Sequence, residues 1–253
     1  MISKNKIKYV RSLEMKKYRK AEGVFVAEGH KLVGDLLKVF DCKYLVATRD
    51  WLENNASLIR MRDVEIDEVT EEELKRVSFQ ESPQQVLAVF RQPVYEVDVN
   101  EVARLNLCLV LDGVQNPGNL GTIVRLADWF GIEHIFCSQG CADIYSPKTV
   151  QATMGGLAHV QVHYVDLPEL MNGLNADVPV YGTFLDGENI YDKPLGGHGM
   201  IVMGNEGNGV SKEVEAFVSE RLYIPNYPQG RETSESLNVA IATAIVCAEF
   251  RRR

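Results

Sequence analysis

The chain has 253 residues, of which 45% are hydrophobic, so it can bury the core of one large domain or two smaller ones and is not globally disordered. No apolar run is long enough for a membrane span, and the polar segment 1–8 does not resemble a signal peptide. The formal net charge of −8 argues against a protein that binds nucleic acid over its whole surface.

The five cysteines are an odd number, and three of them lie in apolar runs. This usage indicates reduced core thiols and a cytoplasmic protein. Cys137 and Cys141 are four positions apart but have no second pair of ligands nearby in the sequence. The spacing therefore favours core thiols over a metal site, and no metal is expected.

The first twenty residues are strongly basic, in contrast to the chain as a whole. They contain one acidic residue, Glu14, and eight basic ones: Lys4, Lys6, Lys8, Arg11, Lys16, Lys17, Arg19 and Lys20. Such a cluster can contact RNA phosphates even on an acidic protein. A solvated terminal arm is an equally good interpretation of the charge alone.

Residues 1–92 are predicted to form a small α/β domain, joined to the rest by a linker at 93–104. A basic helix is expected to begin at 12–14, with further helices at 31–40 and 71–77. Strands are expected at 24–27, 43–48, 66–69 and 86–90. The segment 91–100 contains a proline and acidic residues and has no helical period, which is typical of a linker.

Residues 105–253 alternate apolar strands with helices. Strands are predicted at 105–114, 134–138, 160–165, 178–185, 199–203 and 222–224, and helices at 120–130, 147–155, 167–174, 211–219 and 238–250. This pattern indicates an α/β domain with a mostly parallel sheet covered by helices on both faces. In such sheets ligands bind at the carboxyl ends of the strands, so the loops that follow strands are the candidate sites.

The first of these loops, residues 112–121, leads into a helix that carries Arg125. On a helical wheel Arg125 lies about 160° from the centre of the apolar stripe, so it points toward solvent or substrate. The alternative is a surface ion pair with Asp128, three residues further along.

The second loop, residues 203–211, contains three glycines, which allow the backbone to approach a ligand closely. It matches neither the Walker loop nor the dinucleotide fingerprint. Alone, it favours a tight turn with an exposed Glu206.

The third candidate is the start of the last helix. That helix has little polar face, while Ser236 and Asn238 at its start can cap backbone groups or bind a ligand. The alternative is a capped core helix.

In their order and spacing the three loops resemble the signature motifs of the SpoU (TrmH) family of RNA ribose 2′-O-methyltransferases, over about residues 105–250. The resemblance lies in three segments: Asn116-Pro117-Gly118-Asn119-Leu120-Gly121 with Arg125, Gly204-Asn205-Glu206-Gly207, and Ile224-Pro225 with Ser236-Leu237-Asn238-Val239-Ala240. Residues 11–13, 17–19 and 25–29 are similar to the family's substrate-binding domain, which resembles ribosomal protein L30e.

The resemblance implies a C-terminal trefoil knot, a homodimer that packs through the C-terminal domain and its last helix, and S-adenosylmethionine as the cofactor, without a metal. The residues implied in cofactor binding lie in the loops: Thr183, Phe184, Leu185, Met203, Gly204, Asn205, Ile224, Pro225, Ser236, Leu237 and Asn238.

The resemblance also implies the catalytic residues, which are Arg125, Asn119, Glu206, Ser236 and Asn238. Arginine hardly deprotonates in proteins, so we expect Arg125 to bind the neighbouring phosphate and stabilise the developing alkoxide rather than act as a base. Arg125 and Lys148 are added to the eight N-terminal residues as candidate RNA contacts. The substrate is a structured rRNA or tRNA.

Two features depart from the family pattern. The loop from Tyr227 to Glu235 is longer than usual, and Gln151 stands where many members have arginine. A catalytically inactive RNA-binding protein of the same fold is the main alternative. A nicotinamide-dependent oxidoreductase is disfavoured because the glycine fingerprint is missing.

Overall fold

The computed structural model describes residues 2–60, 63–228, 231 and 236–252. Of the long loop from Tyr227 to Glu235, residues 229, 230 and 232–235 lie outside these residues. Within them, no helix combines the length and apolar character needed to cross a bilayer. The chain divides into two compact units, the first comprising Met1–Val94 with Asp143–Ala158 and the second Tyr95–Ala142 with His159–Arg253.

The strands, numbered in chain order, are β1 Val24–Glu28, β2 Cys42–Ala47, β3 Glu65–Glu68, β4 Val86–Arg91, β5 Leu107–Leu111, β6 His134–Ser138, β7 Gln161–Val165, β8 Val180–Asn189, β9 Gly199–Met203 and β10 Glu220–Tyr223.

The helices are α1 Lys4–Ser12, α2 Lys16–Glu22, α3 His30–Leu37, α4 Arg49–Asn54, α5 Ala56–Ile59, α6 Glu71–Val77, α7 Val99–Leu105, α8 Pro117–Trp129, α9 Pro147–Ala152, α10 Leu167–Asn172, α11 Lys212–Glu215 and α12 Val239–Arg252, with a short 3-10 helix at Gly156–Ala158.

The first unit is built on a four-stranded sheet in the order β1-β4-β2-β3. Strand β4 runs antiparallel to both of its neighbours, and β2 and β3 are parallel. The rings of Phe25 and Phe90 stack with their centroids 5.5 Å apart, and the ring of Tyr145 stacks on Phe25 at 5.2 Å. Helix α9 packs on β1. The segment 143–158 therefore belongs to the first unit by its contacts, although it lies within the segment expected to form the second domain.

Several expected elements of this part differ from the structure. The basic N-terminal segment is helical from Lys4, eight residues before the expected start. It forms two helices, α1 and α2, which are separated by residues 13–15. Helices α4 and α5 were not expected. The expected linker ends in α7, whose first turn is capped by the Asp98 carboxylate accepting from Glu101 N–H. That N-cap, Asp98 before Glu101, is the signal that would have predicted α7.

The second unit contains a six-stranded sheet in the order β10-β8-β9-β5-β6-β7, in which every neighbouring pair is parallel. The prediction of a mostly parallel α/β sheet is confirmed. Val180 packs into a cluster that includes residues of α7, α10 and α11. Tyr181 points to the opposite face, since strand side chains alternate, and its ring meets that of Phe250 in α12 at 4.8 Å. Helices therefore cover both faces.

The carboxyl ends of the central strands lie side by side. Leu111, the last residue of β5, pairs with Met203, the last residue of β9. Gly182 of β8 pairs with Val202, one residue earlier. The loops after β5 and β9 and the part of β8 that follows Gly182 consequently lie at the carboxyl end of the central strands. Ligand sites of open α/β sheets form at this end.

Candidate functional site

The loop after β5 is organised by Asn116, the N-cap of α8. Its side-chain oxygen accepts hydrogen bonds from the backbone N–H of Gly118 at 2.8 Å and of Asn119 at 3.2 Å. Pro117 occupies the first helical position, where its missing N–H costs nothing. The helix consequently begins three residues before the predicted start, and Asn119 lies in its first turn.

Asn205 joins the loop after β9 to the loop after β5. Its side-chain oxygen accepts from Gly207 N–H and Asn208 N–H, which closes the turn. Its Nδ2 donates to the carbonyl oxygen of Gly113 at 2.6 Å. A Cβ atom at Gly204 would lie 2.3 Å from the carbonyl carbon of Gly209, so only glycine allows this close approach of backbone segments.

Asn119 connects all three motif loops. Its Nδ2 donates to Glu206 Oε1 at 2.8 Å, and its Oδ1 accepts from Asn238 Nδ2 at 3.1 Å. Asn238 also caps α12, since its Oδ1 accepts from Ala240 N–H at 3.0 Å and Ile241 N–H at 3.3 Å. The three loops therefore meet at Asn119, and the last helix is held at its start by the same amide that binds the loop after β9.

Arg125 is exposed on α8, and its guanidinium forms no hydrogen bond or ion pair with the described residues. The alternative of a pair with Asp128 is wrong, because the Asp128 carboxylate contacts His159 Nδ1 at 2.9 Å. Arg125 therefore presents a charged, planar donor group to solvent.

The cofactor candidates Thr183, Phe184 and Leu185 lie in an interruption of the β8–β10 pairing. Arg221 pairs with Gly182, whereas the next residue, Leu222, pairs with Glu188, so residues 183–187 leave the ladder. Thr183 Oγ1 donates to the Val202 carbonyl at 3.4 Å, and Leu185 is 77% exposed.

The other cofactor candidates lie after β9, after β10 and at the start of α12. Met203 is buried at the end of β9, and Ile224 and Pro225 are half-buried after β10. Ser236 and Leu237 are exposed just before α12.

Phe184 has a role that the motif comparison did not indicate. Its ring stacks under the Arg221 guanidinium, with the Cζ atom 3.7 Å from the ring centroid. The same guanidinium pairs with Asp186 at 2.5 Å and with Glu215 at 2.7 Å. This network fixes the shape of residues 183–187, which leave the β8–β10 ladder.

All five cysteines are buried, which confirms the expectation of core thiols. Cys141 lies beneath the loop after β5, where hydrogen bonding with Cys137 and with Ser138 lowers the pKa of the Cys141 thiol to about 7. Ser138 Oγ also accepts from Gly113 N–H at 2.9 Å. The described residues contain no group of three or more His, Cys, Asp or Glu arranged to hold a metal ion.

The predicted RNA contacts of the first unit fall into two groups. Six of the N-terminal residues and the α9 residue are exposed: Lys4, Lys8, Arg11, Lys16, Lys17, Lys20 and Lys148. Lys6 is instead paired with Glu65 at 2.7 Å and Asp67 at 2.9 Å, so its charge is locally neutralised.

Arg19 corrects the sequence prediction. Its side chain is only 3% exposed, and its Nη1 donates to the carbonyl oxygens of Leu13 and Glu14 at 2.7 and 2.6 Å. Its Nη2 pairs with Asp143 at 2.5 Å. The expected RNA contact at Arg19 is wrong, because a guanidinium committed to these buried partners is not available to a phosphate.

Two side chains of the first unit form hydrogen bonds that the sequence did not predict. Glu28 is 4% exposed, and its carboxylate accepts from the Ser78 hydroxyl and from Phe79 N–H at 2.8 Å. Gln151, the departure from the family pattern, accepts from Gln80 Nε2 at 2.9 Å. An acidic residue at the end of an apolar run, as in Phe25-Val26-Ala27-Glu28, was the available signal for Glu28.

The family model described as "SpoU rRNA Methylase family" matches residues 106–248, which is more than half of the chain. The chain belongs to the SpoU rRNA methylase family. A second model, described as "MRM3-like substrate binding domain", matches residues 4–88.

Individual SpoU relatives cover the whole chain. The 23S rRNA (guanosine(2553)-2′-O)-methyltransferase RlmP of Bacillus subtilis is 32% identical over 97% of this chain and 96% of its own length. The structure of a TrmH-family protein from Porphyromonas gingivalis is 44% identical, with a TM-score of 0.85 over 100% of this chain and 99% of its own. An AdoMet-bound rRNA methyltransferase from Sinorhizobium meliloti is 28% identical, with a TM-score of 0.87 over 100% and 96% of the two chains.

Proposed function

We propose that this SpoU-family protein transfers the methyl group of S-adenosylmethionine to a ribose 2′-hydroxyl of ribosomal RNA. The observation that carries the proposal is the Asn119 amide, which joins the three motif loops through Glu206 and Asn238. The names of the Bacillus and Sinorhizobium relatives support the reaction, the cofactor and the class of RNA.

The described residues fit a bent nucleoside cofactor held mainly by backbone groups. Residues 183–187 of β8 leave the ladder with β10 beside the end of β9, and Gly204 keeps the next loop free of a side chain that the fold could not accommodate. We propose that Thr183 to Leu185, Met203 to Asn205, Ile224 with Pro225, and Ser236 to Asn238 hold the cofactor. When bound, it supplies an electrophilic methyl group on a sulfonium sulfur.

In the proposed reaction the 2′-oxygen forms a bond to the methyl carbon while the carbon–sulfur bond breaks, and the hydroxyl proton leaves. Arg125 binds the adjacent phosphate and stabilises charge on the 2′-oxygen through its guanidinium donors. Glu206 accepts from Asn119 through Oε1, and we assign its carboxylate as the acceptor of the departing proton. Asn119 and Asn238 position the carboxylate, and Ser236 lies at the same mouth.

The exposed basic residues of the first unit support a role in RNA binding. Lys4, Lys8, Lys16, Lys17 and Lys20 lie on two successive helices and are all exposed. Together with Arg11 and Lys148 they supply a sequence-independent attraction to phosphates despite the net charge of −8. The match to a substrate-binding domain over residues 4–88 supports the same assignment.

Three further properties stay proposals. Exposed apolar side chains on or near α8 and α12, which are Trp129 at 83%, Ile241 at 54% and Leu237 at 49%, support a homodimer through the second unit. The C-terminal trefoil knot is proposed from the family fold. A cytoplasmic location is supported by the burial of all five thiols.

The decisive experiment measures transfer of a radiolabelled methyl group from S-adenosylmethionine to total RNA, followed by mapping of 2′-O-methylated positions. Arg125→Ala should lower kcat about 10²–10³-fold, as expected for the loss of one charge-stabilising donor. Arg104→Ala, at another exposed arginine of the second unit, is the matched control. Cofactor binding without methylation of any cellular RNA would overturn the proposed reaction. Calorimetry that shows no binding of S-adenosylmethionine would instead favour the inactive RNA-binding alternative.

A further inference from the structure

The first unit contains a cavity of about 610 Å³, which is within the roughly 300–1,000 Å³ of ligand pockets. Its lining combines residues from four parts of the chain: Glu14 between α1 and α2, Glu28 on β1, Phe79 and Gln80 before β4, and Lys148 and Gln151 on α9. All of these residues belong to one compact unit. Neither the motifs nor the proposed chemistry of the second unit uses this cavity.

One wall of the cavity is fixed by a buried cation. Arg19 donates to the carbonyl oxygens of Leu13 and Glu14, which holds the backbone that carries the Glu14 side chain. The ion pair with Asp143 ties the same guanidinium to the segment that leads into α9. Because Arg19 is 3% exposed, it contributes by positioning the wall rather than by contacting a ligand.

Another wall of the cavity is fixed by a buried anion, Glu28, which itself belongs to the lining. The Glu28 carboxylate accepts from Ser78 Oγ and Phe79 N–H, and desolvation by burial raises its pKa. Arg11 donates to the Ser78 carbonyl and lies over the Phe79 ring, 5.5 Å from its centroid. Burying a charge is costly and does not by itself indicate a gain in stability. Arg19 behind one wall and Glu28 within the lining hold the cavity in one shape, which is typical of a preorganised binding site.

The lining includes three side chains of the kinds that recognise an unstacked base, Phe79, Gln80 and Gln151. Phe79 provides an aromatic surface, and Gln80 and Gln151 provide primary amides, which can both donate to and accept from the edge of a base. Their mutual hydrogen bond of 2.9 Å keeps both polar groups satisfied without a ligand. The exposed Lys148 ammonium at the rim is suited to the phosphate of the same nucleotide.

We propose that this cavity binds one unpaired nucleobase of the RNA substrate, stacked against Phe79 and read by Gln80 and Gln151. The proposal rests on the proposed function only in that the substrate is RNA. A base within a duplex cannot enter such a cavity, since its edges are paired and its faces stacked. The first unit thereby selects an unpaired segment, in addition to the general attraction of its basic helices.

The test measures binding of fluorescein-labelled ten-nucleotide homopolymers of each base, and of a ten-base-pair RNA duplex, to the full-length protein by fluorescence anisotropy. Wild type should bind at least one single strand more tightly than the duplex. The double variant Gln80→Ala/Gln151→Ala should weaken that binding about 10-fold, a value within the range for losing polar contacts to one base. Duplex binding should stay unchanged. Gln84→Ala, an exposed glutamine outside the cavity, is the matched control.

Two further arms separate the contributions. Lys148→Ala should lower the slope of log affinity against log salt by about 0.7 for the single strand, the value for one phosphate contact. Nucleoside monophosphates serve as competitors, and they should displace the oligonucleotide only at much higher concentration. Thermal unfolding should show that every variant folds.

The proposal is overturned if the double variant binds the single strands as wild type does, if single-strand and duplex binding weaken equally, or if a monophosphate binds as tightly as the oligonucleotide. These outcomes leave methyl transfer by wild type intact, so they differ from a failure of the proposed reaction. In the methylation assay the double variant should raise KM for RNA about 10-fold at unchanged kcat, because it removes ground-state binding and no reacting group.

Discussion

The candidate site of the second unit is held together by hydrogen bonds among amide and carboxylate side chains that are partly exposed to water. The cavity of the first unit is instead fixed by two buried charges. Asn119, Glu206 and Asn238 are half-buried or exposed, and each can exchange its partner for water or substrate at little cost. Arg19 and Glu28 are 3% and 4% exposed and cannot do so. The difference suggests a reaction site that rearranges around its ligands and a recognition site that is formed in advance.

The largest expected effect concerns the buried pair. Arg19→Met leaves Asp143 without its cation and two carbonyl oxygens without donors, so it should lower the free energy of unfolding of the first unit by about 3 kcal/mol. Urea unfolding followed by tryptophan fluorescence reports mainly on this unit, because Trp51 is 2% exposed and Trp129 is 83% exposed.

Two variants complete this experiment. Lys20→Met, at the exposed neighbouring position, should have little effect. Asp143→Leu added to Arg19→Met should recover part of the loss, since the unpaired carboxylate is then removed. A loss below about 1 kcal/mol for Arg19→Met would remove the contrast between the units, because that is the value of an exposed pair.

The next effect tests the hydrogen bonds of the second unit. Glu206→Gln keeps an oxygen that accepts from Asn119 but cannot take up a proton, so kcat should fall about 10²-fold while the affinity for S-adenosylmethionine is retained. Methyl-transfer assays measure kcat, and calorimetry measures the affinity for S-adenosylmethionine. Glu206→Ala, which also removes the acceptor, should lower kcat at least as much. Full activity of Glu206→Gln would assign Glu206 to positioning alone.

A third prediction concerns the apolar surface of the last helix. Ile241→Asp places a charge at a 54% exposed position of α12, and it should weaken the proposed dimer at least about 10-fold, or 1.4 kcal/mol. Sedimentation velocity over a dilution series measures the change. Val39→Asp, at a 55% exposed position of the first unit, should leave the association unchanged. A fully active monomer carrying Ile241→Asp would refute the proposal that α12 serves both the dimer interface and, at its start, the cofactor site.

The smallest effect is the pH dependence of the first unit. Burial raises the pKa of Glu28 in the folded protein above its ordinary value of 4.5, so the folded state holds the proton more tightly than the unfolded state. The contribution to stability is therefore largest at low pH and declines as pH rises from 4.5 through the raised pKa, by at most about 1.4 kcal/mol per pH unit.

Glu28→Gln should flatten this dependence, with urea unfolding followed by Trp51 fluorescence at a series of pH values as the measurement. Glu81→Gln, at an exposed position close by in the chain, is the control. An unchanged slope in Glu28→Gln would show that another group titrates.

The sequence predicted the elements with strong periodicity closely. Strands β6 and β9 and helix α6 have the predicted bounds, because each is delimited by clear alternation or by a capping residue such as Thr70. Short helices such as α4 and α5 have too few residues to show a helical period. In the site, the motif positions identified Asn119, Glu206 and Asn238, but not which of them contact one another.

The sequence by itself determined the α/β class, the second unit's parallel sheet, the buried thiols and the three loops that carry the family's motifs. These properties follow from local patterns and from residue order, which need no knowledge of long-range contacts. Only the tertiary structure showed that Arg19 is structural, that segment 143–158 packs with the first unit, and that one amide joins the loops. Each of these depends on residues far apart in the chain, such as Arg19 with Asp143 and Asn119 with Asn238, whose contacts arise only when the chain has folded.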